Sequence, residues 1–313
     1  MTRAFIFPGQ GSQVVGMGKT LANAFPQARA VFDEVDEALG EHLSAVIWEG
    51  PAETLTLTAN AQPALMAVSL AALRVLEAEA GLDLKRDAAF VAGHSLGEYS
   101  ALAAAGSLSV PDAARLLRLR GDAMQHAVPV GEGAMAALIG LELAGAAVVA
   151  AEAAVADICD VANDNGPGQV VVSGHRAAVE RAVALAKERG AKRAVILPVS
   201  APFHCTLMRP AAEAMRDALG RVALAPPAVP LVANVEARPL REPDAIRDAL
   251  VRQVTGTVRW RESILHMASE GVDGFVEVGA GKVLTGLVKR IAPEASAGAV
   301  GAPVDIAAFA PTR

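Results

Sequence analysis

Only two cysteines, Cys159 and Cys205, occur in 313 residues. They form no C-x-x-C pair and cannot build a disulfide framework, so a reducing compartment is expected. Beside His204, Cys205 reads as a small buried hydrophobe. Aromatic residues make up only 4% of the chain, so its core must come from Ala, Val and Leu within a hydrophobic content of 53%. Positive charge is not in excess: 28 Lys and Arg stand against 34 Asp and Glu, a net charge of −6. That balance lacks the basic field that broad nucleic-acid binding needs. The N-terminus offers Arg3 and then only Ala4 to Phe7 before Pro8, too short an apolar stretch for a signal peptide. The longest uncharged run, Thr54 to Leu73, carries Asn60, Gln62 and Pro63 and does not read as a membrane span. No His, Cys, Asp or Glu cluster has metal-ligand spacing, so no metal is expected. The expectation is a cytoplasmic protein that works away from membranes and nucleic acid.

What the chain does carry is Gly93-His94-Ser95-Leu96-Gly97. It fits G-x-S-x-G, in which a serine is exposed on a sharp strand-to-helix turn. The apolar run Ala88 to Ala92 predicts the strand before it, and Glu98 to Ala105, stopped at Gly106, predicts the helix after it. Ser95 therefore reads as the nucleophile of an acyl-handling enzyme. A serine hydroxyl needs a base, and six histidines are available: His42, His94, His126, His175, His204 and His266. His94 is adjacent, but neighbours on a sharp turn point different ways. His42, His126, His175 and His266 sit in or beside predicted helices among polar residues and read as solvated or capping groups. His204 follows Pro198 to Phe203, just past a predicted strand end, where ligands of open α/β sheets gather. Spacing alone leaves its role open. Oxyanion stabilisation needs two donors. The Leu96 N–H at the start of a helix is one, and the Gln10 N–H between Gly9 and Gly11 is the best second. Two phosphate-binding readings fail. Val14 stands where G-x-G-x-x-G needs its third glycine, and Gly281-Lys282 lacks both the first glycine and the Ser or Thr of G-x-x-x-x-G-K-[ST]. Arg115, Arg118 and Arg120 cluster, and from pattern alone they read as a solvated helix face.

Strands alternate with helices over most of the chain, which predicts a mostly parallel sheet covered on both faces. A long helix is expected from about Lys19 to Leu39 and another from Pro63 to Gly81. The rhythm changes after Gly131. A β-α-β-β-α-β order follows, with strands at 134–139, 158–162, 169–173 and 194–197 and a turn-rich Asn163 to Gly168 between the middle two. That order is ferredoxin-like. The fold class is thus α/β, with residues 1–129 and 198–313 forming an α/β-hydrolase-like catalytic domain and 130–197 an inserted ferredoxin-like domain. The Ala-, Gly- and Pro-rich tail from Pro293 is expected to wrap the surface.

With these residues assembled, the chain resembles the malonyl-CoA:acyl-carrier-protein transacylases of fatty-acid synthesis over its whole length. The likeness rests on six ordered blocks: Phe7 to Gln13, Gly93 to Glu98, Arg120-Gly121 with Met124-Gln125, Asn165 to Val171, Pro202-Phe203-His204, and Glu277-Val278-Gly279 with Gly281 to Leu284. Ala280 stands where many relatives have proline. The resemblance implies that Ser95 attacks malonyl-CoA with His204 as base. It implies that the Gln10 and Leu96 N–H groups form the oxyanion hole, that Arg120 binds the malonyl carboxylate, and that the Gln253 backbone carbonyl orients His204. It implies substrate contacts from Phe203, and from Asn163 and Asn165, which suit turn capping equally well. The coenzyme A thioester and the phosphopantetheine arm of a transiently bound acyl carrier protein would be substrates of a monomer that needs no cofactor. Two alternatives are a malonyl transferase serving malonate decarboxylase and a serine thioesterase that releases the acyl group to water.

Overall fold

Short apolar runs bounded by glycine and proline form the strands of this chain, and Ala- and Leu-rich stretches between them form its helices. The structure, a computed structural model, describes residues 2–309. The strands among these are β1 Arg3–Phe7, β2 Phe90–Gly93, β3 Gly133–Ile139, β4 Cys159–Gly166, β5 Gln169–His175, β6 Arg193–Ile196, β7 Leu231–Ala233, β8 Arg238–Leu240, β9 Gly274–Val278 and β10 Ser296–Val300. One sheet has the order β10-β9-β1-β2-β7-β8. Its first five strands run parallel, and β8 closes the edge antiparallel to β7. Ala4, Phe5, Ile6 and Phe7 of β1 expose no surface, because helices cover both faces of a parallel sheet. The two-residue strand period divides them. Phe5 and Phe7 join the core formed with the helix Thr58–Ala80, while Ala4 and Ile6 join Trp260 and Phe275 on the opposite face. The helix Thr58–Ala80 is long and apolar enough to cross a bilayer, yet 83% of its most apolar window is buried inside the protein.

The second sheet has the order β4-β5-β3-β6 and is antiparallel throughout. The helices Leu143–Ala154 and Arg176–Glu188 cover it with a separate core of Ala and Val, the ferredoxin-like arrangement. It is strapped to the larger sheet. The Val258 N–H donates to the Ala162 carbonyl at 2.9 Å, the Asp164 N–H to the Val258 carbonyl at 3.0 Å, and the Thr257 hydroxyl to the Val161 carbonyl at 2.6 Å. On the other side, Asp160 accepts from both the backbone and the hydroxyl of Thr206, two residues past His204.

Four expectations are corrected. The helix expected over Lys19–Leu39 is two, Lys19–Ala24 and Pro26–Leu39, because Phe25 is extended, as a residue before proline prefers. The helix expected to begin at Pro63 begins at Thr58, with Pro63 inside it. There the buried Thr58 hydroxyl accepts from the Gln62 side chain and ties the early turns together. The turn expected over Asn163–Gly168 shrinks to Pro167-Gly168. β4 runs on through Gly166 because Asn163 and Asp164 pair with the chain at Val258. The tail from Pro293 supplies strand β10 and the helix Pro303–Ala308 rather than a surface wrap; its residues 310–313 lie outside the described ones. The Glu277 to Leu284 block is architectural. The buried Glu277 carboxylate accepts from the backbone N–H groups of Leu284 and Thr285 and from the Thr285 hydroxyl, which anchors the next helix to β9.

Candidate active site

The parallel strands bring Gln10, Ser95 and Asn234 together, each just past the carboxyl end of β1, β2 or β7. Among the described residues, four non-glycine residues have positive φ, and Ser95 (53°) and His204 (58°) are two of them. Such conformations cost about 1–3 kcal/mol each and persist only where the surroundings enforce them. At Ser95 the enforcement is visible. A Cβ on Gly93 would overlap the Gly97 backbone, and a Cβ on Gly97 would overlap the Phe7 carbonyl. The turn therefore closes only with glycine on both sides. Asn234 spans it, accepting from the Ser95 N–H and donating to the Gly93 carbonyl, both at 2.8 Å.

The Ser95 hydroxyl lies 2.7 Å from His204 Nε2, and His204 Nδ1 lies 2.8 Å from the Gln253 carbonyl. A carbonyl only accepts, so Nδ1 carries the proton and Nε2 is left to take one from serine. Burial, with Arg120 adding to it, pushes the His204 pKa down to about 3. The imidazole is thus neutral at pH 7, the form a general base requires. Arg120 is also buried. It donates through Nη2 to the Ser95 hydroxyl at 3.1 Å and to Gln253 Oε1 at 2.8 Å, and through Nη1 to Gln62 Oε1 at 2.7 Å. These partners are neutral, and Arg120 Nε has none among the described residues. The acid closest in influence is Glu98, whose pKa is raised by burial to about 8 against the pull of the Asn234 N–H, the Gln253 amide and Arg120. A buried guanidinium held by amides leaves its charge available, and an anionic group placed beside Ser95 would neutralise it. Ser95, His204 and Arg120 open on a cavity of about 410 Å³. Gln10 and Leu96 border it from the larger sheet, and Met135, Asn163, Asn165 and Val171 from the smaller one.

Residues 4–304 match the family model described as an acyl transferase domain. The chain belongs to the acyl transferase family. It is similar to the malonyl CoA-acyl carrier protein transacylase of Escherichia coli K12, at 49% identity over 97% of each chain. The Bacillus subtilis 168 protein of the same name is 49% identical over 92% of this chain and 90% of its own. A crystal structure of the acyl-carrier-protein S-malonyltransferase of Bartonella henselae superposes with a TM-score of 0.96, at 57% identity over 98% of both chains. The malonyl-transacylase solved in complex with a type II PKS acyl-carrier protein superposes at 0.95, at 44% identity over 98% of both.

Within this acyl transferase the remaining candidates fall as follows. Phe203 is buried and lines the cavity beside His204. His94 lines the same cavity, and its Nε2 lies 2.8 Å from the Asn165 side-chain oxygen. Asn163 and Asn165 belong to β4 and not to a turn, which removes the capping role and leaves them facing the cavity. Arg115 does lie on an exposed face, Arg118 is half-buried, and Arg120 on the same helix points inward, so the solvated reading fails at that position. Three participants carry no motif of their own, Thr58, Gln62 and Asn234, and a fourth, Glu98, closes the Gly93 to Glu98 block without a role having been expected of it. The Thr58 hydroxyl donates to Gln10 Oε1 at 3.0 Å and accepts from Gln62 Nε2 at 2.9 Å. A polar chain thus runs from Arg120 through Gln62 and Thr58 to the Gln10 loop. The sequence signal was available in Gln62, a polar side chain inside a long apolar run.

Proposed function

We propose that this acyl transferase moves a malonyl group from malonyl-CoA to the phosphopantetheine thiol of an acyl carrier protein through a malonyl-Ser95 intermediate. The observation that carries the reading is Arg120, a buried and locally unneutralised cation 3.1 Å from the Ser95 hydroxyl. In the first half-reaction, Ser95 Oγ bonds to the thioester carbon as His204 Nε2 takes its proton. The oxyanion is received by the N–H groups of Gln10 and Leu96. Collapse breaks the C–S bond, and the His204 proton leaves with CoA as its thiol. In the second, the carrier thiol gives its proton to His204 and its sulfur attacks the ester. Ser95 then departs, recovering a proton from His204. The Gln253 carbonyl holds the imidazole in the required tautomer. Arg120 binds the malonyl carboxylate through paired hydrogen bonds, Phe203 narrows the pocket around the methylene, and Asn163 and Asn165 contact the acyl-CoA. No step calls for a cofactor.

The names of the relatives support malonyl as the acyl group, and the transacylase solved with its acyl-carrier protein supports the acceptor. We further propose that the enzyme is a cytoplasmic monomer. In this reading residues 1–129 and 198–313 act as the catalytic domain, and 130–197 as an inserted domain that covers the cleft and limits water access. The separate core of the smaller sheet supports that division.

The test mixes the protein with malonyl-CoA and no acceptor. A burst of about one equivalent of CoA, with matching mass gain on Ser95, is expected from transfer kinetics; steady CoA release would make the protein a thioesterase instead. With carrier protein present, Arg120→Ala should lose the preference for malonyl over acetyl by about two to four decades, since charged hydrogen bonds contribute roughly 1.5–3 kcal/mol each. Equal losses for both acyl groups would remove the carboxylate clamp from the account.

A further inference from the structure

We propose that Glu98 is a positioning residue that fixes, through Asn234 and Gln253, the nucleophile, the base and the carboxylate clamp together. The proposal rests on the assignment of Ser95 as nucleophile. Glu98 lies one turn past Ser95, in the helix Gly97–Ala104, and is 1% exposed. Its helix neighbours Tyr99, Ser100, Ala101 and Leu102 are buried as well. A carboxyl group in such surroundings is costly unless its oxygens are engaged, and both are. Oε1 accepts from the Asn234 backbone N–H at 2.6 Å, and Oε2 accepts from Gln253 Nε2.

These two partners hold everything else. Asn234 pins the Ser95 N–H and the Gly93 carbonyl across the strained turn. Gln253 makes four further contacts, one of them from Nε2 to Asn234 Oδ1 at 3.4 Å. Its Nε2 donates to the Ser95 carbonyl at 2.9 Å, its Oε1 accepts from Arg120 at 2.8 Å, and its backbone carbonyl accepts from His204 Nδ1 at 2.8 Å. Gln253 is also the last residue of the helix Pro243–Gln253, a place where helices fray and carbonyls lack intrahelical partners. Without an acceptor at position 98, the Gln253 amide keeps the Ser95 carbonyl but loses its carboxyl acceptor, and Oε1 is held less firmly against Arg120. The Asn234 backbone loses its tie to the same helix. One carboxyl group thus sets two residues from distant parts of the chain, and those two set the three working groups.

The experiment measures two rates on each variant: labelling of Ser95 by a fluorophosphonate probe, and malonyl transfer to carrier protein. The probe reads serine alignment whatever the acyl group. A wild-type protein that labels but does not transfer malonyl would therefore sink the proposed function and leave the role of Glu98 standing. Glu98→Leu should slow both labelling and kcat by about 10²-fold while KM for malonyl-CoA stays within about threefold, the scale of a roughly 1 Å misplacement. Glu98→Gln, which keeps one acceptor, should fall between the two. In a Gln253→Met background, adding Glu98→Leu should cost clearly less than it does in the wild type, because the Oε2 contact is already gone and only the Oε1 contact to the Asn234 N–H is left to lose. Thermal melts confirm folding, and if Glu98→Leu does not fold, Glu98→Gln carries the same cycle. Labelling at the wild-type rate, a rise in KM with kcat kept, or full multiplication of the two losses in the double variant would each overturn the proposal.

Discussion

His204 carries the sharpest residue-level consequence. Its pKa, pushed down to about 3 by burial and Arg120, lies well below the ordinary value near 6.5. Because the proton is bound only below the folded value, the imidazole stays neutral from pH 7 down to about pH 4. Malonyl transfer by the wild-type enzyme should therefore show no acid limb centred near 6.5 in a kcat/KM–pH profile, which reports the free enzyme. A limb near 8 would belong to Glu98, whose pKa burial lifts in the opposite direction. A limb at 6.5 that disappears in no variant of Glu98 would mean that His204 is not shielded as described. Stability follows the same signs. Unfolding returns His204 to about 6.5, so the unfolded chain binds more protons than the native one between about 6.5 and 3. The contribution of His204 to stability is complete above 6.5 and declines as pH falls through that window. Glu98 acts in reverse. Its raised pKa favours the native state at low pH, and that benefit fades as pH rises from about 4.5 toward 8.

At the scale of elements, glycine decides what can change. Gly97→Ala would drive a Cβ into the Phe7 carbonyl, a backbone atom that cannot turn aside, so the turn after β2 must open. Labelling of Ser95 and transfer should both fall by several decades, with a lower melting temperature. Gly145, in the helix Leu143–Ala154, has open space where a Cβ would go. Gly145→Ala should raise stability by about 0.5–1 kcal/mol and leave kinetics unchanged. Equal effects of the two substitutions would refute the steric account of the elbow. The same contrast explains what could be read in advance. β3 and β6 lie within a residue of where the apolar runs place them, and β2 shifts by only a residue or two. β10, Ser-Ala-Gly-Ala-Val, carries almost no strand propensity and forms because β9 offers a free edge. The Gln253 side chain, Asn234 and Thr58 were illegible for a related reason. Their hydrogen bonds reach Arg120, Ser95 and Gln10 across 133, 139 and 48 positions, and local pattern holds no trace of contacts that only the topology creates. Ser95, His204 and Arg120 were legible because each sits in a motif block whose order along the chain is itself information.

Over the whole molecule, the cavity exists only because the smaller sheet is held against the carboxyl ends of the larger one. The strap runs through β4, where Asp164 pairs with Arg261 of the larger sheet's helices, and Arg261 also lies 3.6 Å from Glu142 of the smaller domain. Asp164 lies between Asn163 and Asn165, which both face the cavity. Its carboxylate is buried, with Oδ2 accepting from Arg261 Nε at 2.9 Å and Oδ1 without a partner among the described residues. Burial raises its pKa, and Arg261 pulls it back. Arg261 in turn leads the helix Trp260–Ser269, immediately after the Thr257 and Val258 contacts that clasp Val161, Ala162 and Asp164. Arg261→Ala would leave a buried carboxylate unpaired. Breaking a buried pair costs roughly 3–5 kcal/mol, and the partial exposure of Arg261 reduces that to about 2 kcal/mol here, or a fall of about 4 °C in melting temperature. If the strap also sets the cavity wall, KM for malonyl-CoA should rise about tenfold, because Asn163 and Asn165 move with Asp164. Asp164→Asn together with Arg261→Ala should restore much of the melting temperature by removing the stranded charge. KM should stay high, because the β4 register against the larger sheet has still lost its side-chain tie. Recovery of both quantities together would show that the pair serves stability alone and that backbone bonds at Val258 suffice to place the wall.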